Sequence, residues 1–212
     1  TVTVEDNVAP TAIAQDLTVQ LDASGAGSIT AAQVDNGSSD ACGISNLTIS
    51  QASFGCADLG ANNLVFTAED VNGNTTTATF TVTVEDNIAP TISGMPASIS
   101  LSNDAGLCGA VATWTAPTAD DNCTPTLTST HNSGETFALG TTTVTYTATD
   151  PAGNSASASF TVTVTDDEAP AIAGMPADMT LSNDAGDCSA IATWTAPTSS
   201  SGSPLPGRSI RT

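Results

Sequence analysis

The sequence predicts an all-β protein made of tandem immunoglobulin-like β-sandwich domains, and three observations predict it. The segment TVTVEDN stands at residues 1–7 and again at 81–87, and TVTVTDD stands at 161–167, so the chain repeats every 80 residues. Apolar residues alternate with Thr or Ser in short runs, which is the period of a half-buried strand. No segment has a sustained 3.6-residue apolar period, so helices are not expected.

The last two strands of each repeat are predicted as an antiparallel hairpin. The inward positions are Leu64, Phe66, Ala68, Phe80, Val82 and Val84 in the first repeat, and Val144, Tyr146, Ala148, Phe160, Val162 and Val164 in the second. Between the two strands lie turn signals at 70–74 and 150–154, where Asn and Gly favour a tight reversal.

Earlier in each repeat, a further alternating strand is predicted at Leu17/Val19/Leu21, at Ile99/Leu101 and at Met179/Leu181. Another is predicted at 110–115, with a copy at 190–195. The tryptophans of these two segments, Trp114 and Trp194, are expected in the core. About seven short strands separated by turn residues are typical of an immunoglobulin-like sandwich.

The spacing also predicts the domain boundaries. Residues 1–7 are the terminal strand of a preceding repeat and a junction, 8–87 are an immunoglobulin-like repeat, and 88–167 are a second repeat. Residues 168–198 are a truncated copy of the second repeat. Residues 199–212, rich in Ser, Pro and Gly, have no counterpart and are predicted to be a tail or linker.

The negative net charge of the chain excludes some classes of binding partner. The chain has 22 acidic and two basic side chains and a net charge of −20, and both basic residues, Arg208 and Arg211, lie near its C-terminal end. Nucleic acids and anionic membrane surfaces require cationic side chains to neutralise phosphates, so neither is expected as a partner. No apolar run is long enough to predict membrane insertion.

The five cysteines can be assigned to the repeats. Cys42 and Cys56 lie in the first, Cys108 and Cys123 in the second, and Cys188 in the third. We therefore predict the disulfides Cys42–Cys56 and Cys108–Cys123, which favour an oxidising, extracellular compartment. A zinc site is the alternative, but the spacing C-x2-C is absent and the chain has a single histidine.

Acidic residues recur in three loops that a sandwich of this class gathers at one end. The predicted metal ligands are Glu5, Asp6, Asn7, Asp40, Asp70 and Asn72, then Glu85, Asp86, Asn87, Asp121 and Asp150, and finally Asp166 and Asp167. Carboxylates packed together repel one another unless a cation lies between them. Oxygen ligands without His or thiolate suit Ca²⁺, so we predict structural calcium at these positions.

A simpler alternative is that these residues only form solvated turns, because Asp, Asn and Gly are common there for backbone reasons. That alternative explains Asn72 and Gly73 well. It explains less well why acidic residues recur at 6, 86 and 166, and again at 70 and 150.

Longer motifs resemble a known family. Those of the second repeat are Trp114-Thr-Ala-Pro-Thr, Asp120-Asp-Asn-Cys123, Thr130-His-Asn, Gly134-Glu-Thr-Phe137, Leu139-Gly-Thr-Thr-Thr-Val-Thr-Tyr-Thr-Ala-Thr-Asp150 and Ala152-Gly-Asn154. Together they closely resemble the hyalin repeat (HYR) module. The first repeat, with Asp40-Ala-Cys-Gly43 and Asp70-Val-Asn-Gly-Asn74, is similar to sister repeats of very long bacterial surface adhesins. The junction Glu-Asp-Asn-x-Ala-Pro is similar to the calcium-binding linker of cadherins, which implies Asp6, Asp86 and Asp166 as ligands.

The resemblance implies an extracellular region that adheres, or that spaces an adhesive tip from the cell surface. We expect calcium at the junctions to stiffen it, with neighbouring repeats of the same chain as partners. The alternatives are a subunit of an extracellular filament, joined to identical chains, and a module that binds a polysaccharide or protein receptor directly. An enzyme is not expected, because the paired carboxylates repeat in every unit and lie in turns without an apolar pocket.

Overall fold

The computed structural model of the protein describes residues 1–186, 188–190 and 192–200, and most of the predicted tail over 199–212 lies outside them. The chain divides into two compact units. The first holds Thr1–Gly94, Pro117–Thr128 and Tyr146–Ala158, and the second holds Met95–Ala116, Ser129–Thr145 and the described part of Ser159–Thr212. Among the described residues, no helix has the length and hydropathy needed to cross a bilayer.

The first repeat forms one four-stranded sheet and a smaller two-stranded one. Its elements are β1 (Leu17–Gln20), β2 (Ala26–Ser28), α1 (Ala31–Val34), β3 (Ile44–Ile49), β4 (Ser53–Gly55), a 3-10 turn (Cys56–Asp58), β5 (Gly60–Asp70) and β6 (Thr75–Glu85). The large sheet has the order β1-β6-β5-β3, and β1 is parallel to β6 while the other pairs are antiparallel. Strands β2 and β4 pair antiparallel.

The core of the first repeat lies between these layers, as the alternating pattern predicts. Phe66 and Val82, on the two strands of the long hairpin, are completely buried. They belong to one cluster with Val34 of α1 and Phe54 of β4. Successive side chains of a strand point to opposite faces, which is why Val65, next to Phe66, is 41% exposed.

The second repeat has a similar arrangement. Its elements are β7 (Thr91–Ser93), β8 (Ile99–Ser102), β9 (Gly109–Val111), β10 (Thr118–Asp120), β11 (Thr126–Ser129), β12 (Thr136–Ala138), β13 (Gly140–Thr149) and β14 (Ser155–Thr165). Four of them form a sheet of order β11-β13-β14-β8, with β8 parallel to β14. The predicted inward residues of β13 and β14 are all buried, and the all-β sandwich class is confirmed.

The strand predicted at 110–115 is shorter than expected, because only Gly109–Val111 pairs, with β12. Trp114 lies beyond it. Its ring packs against Phe137, with centroids 6.0 Å apart, and edge-on against Phe160, with centroids 5.2 Å apart. The expectation that Trp114 contributes to the apolar interior is therefore supported by its contacts.

The strands predicted for the third repeat at Met179/Leu181 and at 190–195, and the predicted burial of Trp194, are wrong where the structure describes these residues. Met179 and Leu181 lie in no strand and are about half exposed, and Trp194 is 56% exposed. The physical reason is the lack of covering strands, since residues 168–212 contain no counterparts of β13 and β14. Among the described residues of this segment, β15 (Ala171–Ala173) and β16 (Thr198–Ser200) pair antiparallel.

Candidate metal site

Three aspartates from strand ends converge in the first compact unit, and we call Asp86, Asp121 and Asp150 the Asp86 cluster. One carboxylate oxygen of each lies within 4.8 Å of the corresponding oxygens of the other two. Asp86 directly follows β6, Asp121 follows β10 and Asp150 follows β13. Three predicted ligands from separate loops therefore meet.

Burial and missing partners distinguish this cluster from an ordinary set of surface carboxylates. Asp86 is 4% exposed and Asp150 is 6% exposed. Oδ2 of Asp86, Oδ1 of Asp121 and the amide Oδ1 of the neighbouring Asn122 are buried without a hydrogen-bond donor among the described residues. Since the chain has no Lys or Arg before Arg208, no basic side chain of these repeats balances the charge. Buried oxygens of this kind are costly unless a cation or water binds them.

The hairpin turn fixes the position of Asp150. Its Oδ1 accepts hydrogen bonds from the backbone N–H groups of Gly153, at 2.7 Å, and Asn154, at 2.9 Å. Its Oδ2 accepts one from Nδ2 of Asn154, at 2.8 Å. The same Asn154 amide donates to the backbone O of Asp86, at 2.8 Å, so one side chain ties two members of the cluster together.

Asn122 makes the equivalent link on the other side. Its Nδ2 donates to Oδ1 of Asp86 and to the backbone O of Asp22, both at 3.1 Å. This leaves its Oδ1 next to Asp121 without a donor. Asn122 is not among the predicted ligands, although its place directly after Asp121 is a signal for it.

The first repeat has a related group, in which ligand atoms of Asp6, Asp40 and Cys42 lie within 4.8 Å of one another. A hydrogen bond to the Asp6 carboxylate, followed by the negative charges around it, raises the pKa of the Cys42 thiol. The thiol therefore stays protonated at neutral pH and is no ligand for a hard cation. Asn74 links Asp6 to the turn, as its Nδ2 donates to the backbone O of Asp6, at 3.1 Å.

Asp70 repeats the hydrogen bonding of Asp150. Burial acts to raise the pKa of Asp70, but hydrogen bonds from Asn74, Asn72 and Gly73 outweigh it and the net pKa is lowered. The donors include the backbone N–H of Asn72, at 2.8 Å, and Nδ2 of Asn74, at 2.7 Å. The contribution of Asn72 is thus its backbone, and its side chain is exposed.

The other predicted ligands are not part of either group. Glu5 and Asn7 are exposed. The side chains of Glu85 and Asn87 instead both hydrogen-bond to Gln20.

At the end of the second repeat, Asp166 and Asp167 are exposed. Oδ1 of Asp166 accepts a bond from the N–H of Glu168, and Oδ2 of Asp167 accepts one from Oγ of Ser102. That these two residues bind a metal stays a prediction.

The cysteine pairing differs from the predicted one. Cys56 is bonded to Cys123, 67 residues away in sequence, with 5.6 Å between the two Cα atoms. The predicted pairs Cys42–Cys56 and Cys108–Cys123 are therefore wrong, although the presence of a disulfide is confirmed.

Strand length is the physical reason for the different pairing. Cys42 lies at the C-terminal end of β5, where the N–H of Val71 donates to the backbone O of Gly43, at 3.2 Å. Cys56 lies before the first residue of β5, which has 11 residues. A strand of that length spans about 35 Å, whereas the Cα atoms of a disulfide lie within roughly 7 Å. Proximity in sequence therefore does not bring these two cysteines together.

Comparison with known proteins supports the motif-based resemblance. Residues 85–164 match the family model described as the HYR domain. Hyalin of the sea urchin Strongylocentrotus purpuratus is 38% identical over 111 residues, which cover 50% of this chain and 9% of that protein. Hyalin of Lytechinus variegatus is 37% identical over 123 residues, which cover 56% of this chain and 23% of that protein. The chain thus spans less than a quarter of the length of these curated relatives.

Two solved structures match this chain with low scores. Cadherin domains 1–4 of protocadherin gamma B7 give a TM-score of 0.32 with 17% identity, covering 84% of this chain and 56% of that chain. Domains EC1-2 of human protocadherin-24 give a TM-score of 0.33 with 13% identity, covering 76% of this chain and 100% of that chain. The resemblance predicted from the motifs is confirmed by the family match, and residues 85–164 of this chain carry a hyalin repeat.

Proposed function

We propose that the chain is part of an extracellular, adhesion-related repeat region in which calcium bound by the Asp86 cluster fixes the joint between the first and second repeats. The match of residues 85–164 to the HYR domain and the similarity to two hyalins support the repeat region. The disulfide Cys56–Cys123 supports an oxidising compartment, because such bonds persist outside the reducing cytosol.

The observation that carries the calcium proposal is the set of buried oxygens without donors. A turn alone explains Asp150, whose two carboxylate oxygens both accept hydrogen bonds from its own hairpin. It does not explain Oδ2 of Asp86 or Oδ1 of Asp121, which are buried and accept none. A cation bound between the two carboxylates offsets both their mutual repulsion and the cost of removing their oxygens from water.

The donor set fits calcium. Three carboxylates and the amide oxygen of Asn122 supply four hard oxygen ligands, and Ca²⁺ takes six to eight, with water among them. Thiolate and imidazole, which zinc prefers, are absent from the Asp86 cluster as the structure describes it.

The ion's proposed structural role follows from which repeat supplies each ligand. Asp86 directly follows the last strand of the first repeat, whereas Asp121 and Asp150 belong to loops of the second repeat. An ion bound to all three joins the two repeats next to the Cys56–Cys123 disulfide, which also links them. Bending at that joint then requires loss of ligands from the ion, so the bound state is stiffer.

Calcium titration of the full chain by isothermal calorimetry tests the proposal. We expect a binding event that is lost in the double variant Asp86→Asn/Asp150→Asn. We also expect calcium to raise Tm, because a ligand at about 100 times its Kd stabilises the folded state by about 2.7 kcal/mol.

Asp178→Asn is the matched control, since Asp178 is exposed and outside the cluster. It removes the same charge as one member of the cluster and should leave calcium binding unchanged. Absence of binding heat together with an unchanged Tm in chelator would refute the calcium role and leave the repeat assignment intact.

A further inference from the structure

The disulfide Cys56–Cys123 lies next to the Asp86 cluster. Cys123 follows Asp121 and Asn122 in the chain and is completely buried in the core of the first repeat. Its backbone N–H lies 3.4 Å from Oδ2 of Asp121, and the Sγ of Cys56 lies 3.4 Å from the backbone O of Asn122. The bond therefore holds two of the three residues that present buried oxygens without a described donor, Asp121 and Asn122.

A close backbone contact with Gly25 also fixes the position of Asn122. Gly25 has a φ of +74°, and a Cβ built on it would lie 2.6 Å from the backbone O of Asn122 and 3.0 Å from the Sγ of Cys56. Only a glycine permits this approach. The Nδ2 of Asn122 also donates to the backbone O of Asp22, in the same turn as Gly25.

We propose that the Cys56–Cys123 disulfide positions Asp121 and Asn122 for the cation, so that calcium affinity at the Asp86 cluster depends on the redox state of this bond. The inference rests on the proposed function. Residues that orient metal ligands typically change affinity 10- to 100-fold when they are removed. Reduction by a dithiol breaks the S–S bond and forms two protein thiols, while the dithiol is oxidised to its own disulfide.

Thermodynamic linkage makes the effect reciprocal. If the intact bond favours calcium binding by a given factor, bound calcium favours the intact bond by the same factor. Calcium therefore protects the disulfide against reduction at equilibrium.

The test compares calcium titrations of the oxidised full chain, of the dithiothreitol-reduced chain, and of the double variant Cys56→Ser/Cys123→Ser. We expect Kd to rise about 10- to 100-fold in the latter two. Cys42→Ser is the control and should retain the affinity of the oxidised protein, because Cys42 is not part of this bond. Thiol alkylation followed by mass spectrometry verifies the state of Cys56 and Cys123.

Gly25→Ala provides an independent variant that keeps both cysteines. Its control is Gly37→Ala, because Gly37 also has a positive φ, of +94°, but a Cβ there would meet nothing within 4 Å. We expect only Gly25→Ala to weaken calcium binding. This comparison remains decisive even if the double serine variant fails to fold.

The outcomes separate the two proposals. Equal Kd values in the oxidised and verified reduced protein, with equal Kd values for the two alanine variants, overturn the redox coupling and leave the calcium role standing. Oxidised protein that binds no calcium overturns both. A redox-dependent Kd, together with a larger oxidised fraction at equilibrium in the same dithiothreitol buffer with calcium than with chelator, supports the coupling.

Discussion

Single aspartates in this chain serve two different purposes. Asp70 and Asp150 accept hydrogen bonds from their own hairpins, so turn formation alone accounts for them. Asp86 keeps a buried oxygen without a donor, which no local motif explains. The recurrence of acidic residues every 80 positions links Asp86 with Asp150, which do meet, but it links Asp6 with Asp70 in the same way, and Asp70 is not part of the Asp6 group. It also does not distinguish these two purposes. That distinction requires the position of Asn122, which depends on the tertiary structure.

The lowered pKa of Asp70 predicts how stability depends on pH. A carboxyl whose pKa is lower in the folded than in the unfolded state contributes stability above its ordinary pKa, near 3.8. That contribution is lost as pH falls below this value towards the folded pKa. We expect Asp70→Asn to be less stable than the natural protein at pH 6, with a smaller difference at pH 3, measured by urea unfolding in chelator.

Asp178→Asn again provides the comparison, because it removes an exposed carboxylate. It should follow the pH dependence of the natural protein. A constant difference between Asp70→Asn and the natural protein from pH 6 to pH 3 would contradict the assignment.

At the scale of elements, the period of two predicts the long strands and their buried faces correctly. Strands β5, β6, β13 and β14 each have ten residues or more, so the alternation is sampled several times. The same pattern failed at Met179 and Leu181. In the two complete repeats this short strand pairs parallel with the last strand, and the described residues after 167 contain no such partner. Alternation of apolar and polar residues shows that a segment is suited to a β-strand. The strand forms only where a neighbouring strand is present to pair with it.

Adjacent positions of β5 test the importance of its buried face. Phe66 is completely buried, and Phe66→Ala should lower the free energy of unfolding by about 3–5 kcal/mol, through lost burial and a cavity. Val65→Ala, on the exposed face, should cost less than about 1 kcal/mol. Urea denaturation of both variants, followed by circular dichroism, measures the difference. Similar losses for the two would show that β5 does not face the core as described.

For the whole molecule, the repeat spacing predicts boundaries near residues 87 and 167, and those boundaries stay a prediction. The compact units have different boundaries, since the segments 117–128 and 146–158 of the second repeat, which include parts of its strands, belong to the first unit. Contacts that sequence periodicity does not contain cause this difference. Among them are the Cys56–Cys123 bond and the hydrogen bond from Asn122 to Asp22.

The disulfide should also contribute to global stability. Its cysteines are 67 residues apart, so loss of the bond should lower the free energy of unfolding by roughly 4 kcal/mol on the chain-entropy account. Urea unfolding of Cys56→Ser/Cys123→Ser in chelator, compared with Cys42→Ser, measures this without a contribution from calcium. Equal midpoints for the two variants would contradict the expectation.

The covalent link between Cys56 and Cys123 has a mechanical consequence. When a pulling force acts on the two ends of the chain, tension passes directly from one sulfur to the other and bypasses the intervening peptide. The bypassed segment, with a sequence separation of 67 residues, includes the β5–β6 hairpin and Asp86. At about 3.3 Å per residue, roughly 220 Å of potential extension is withheld for as long as the bond lasts.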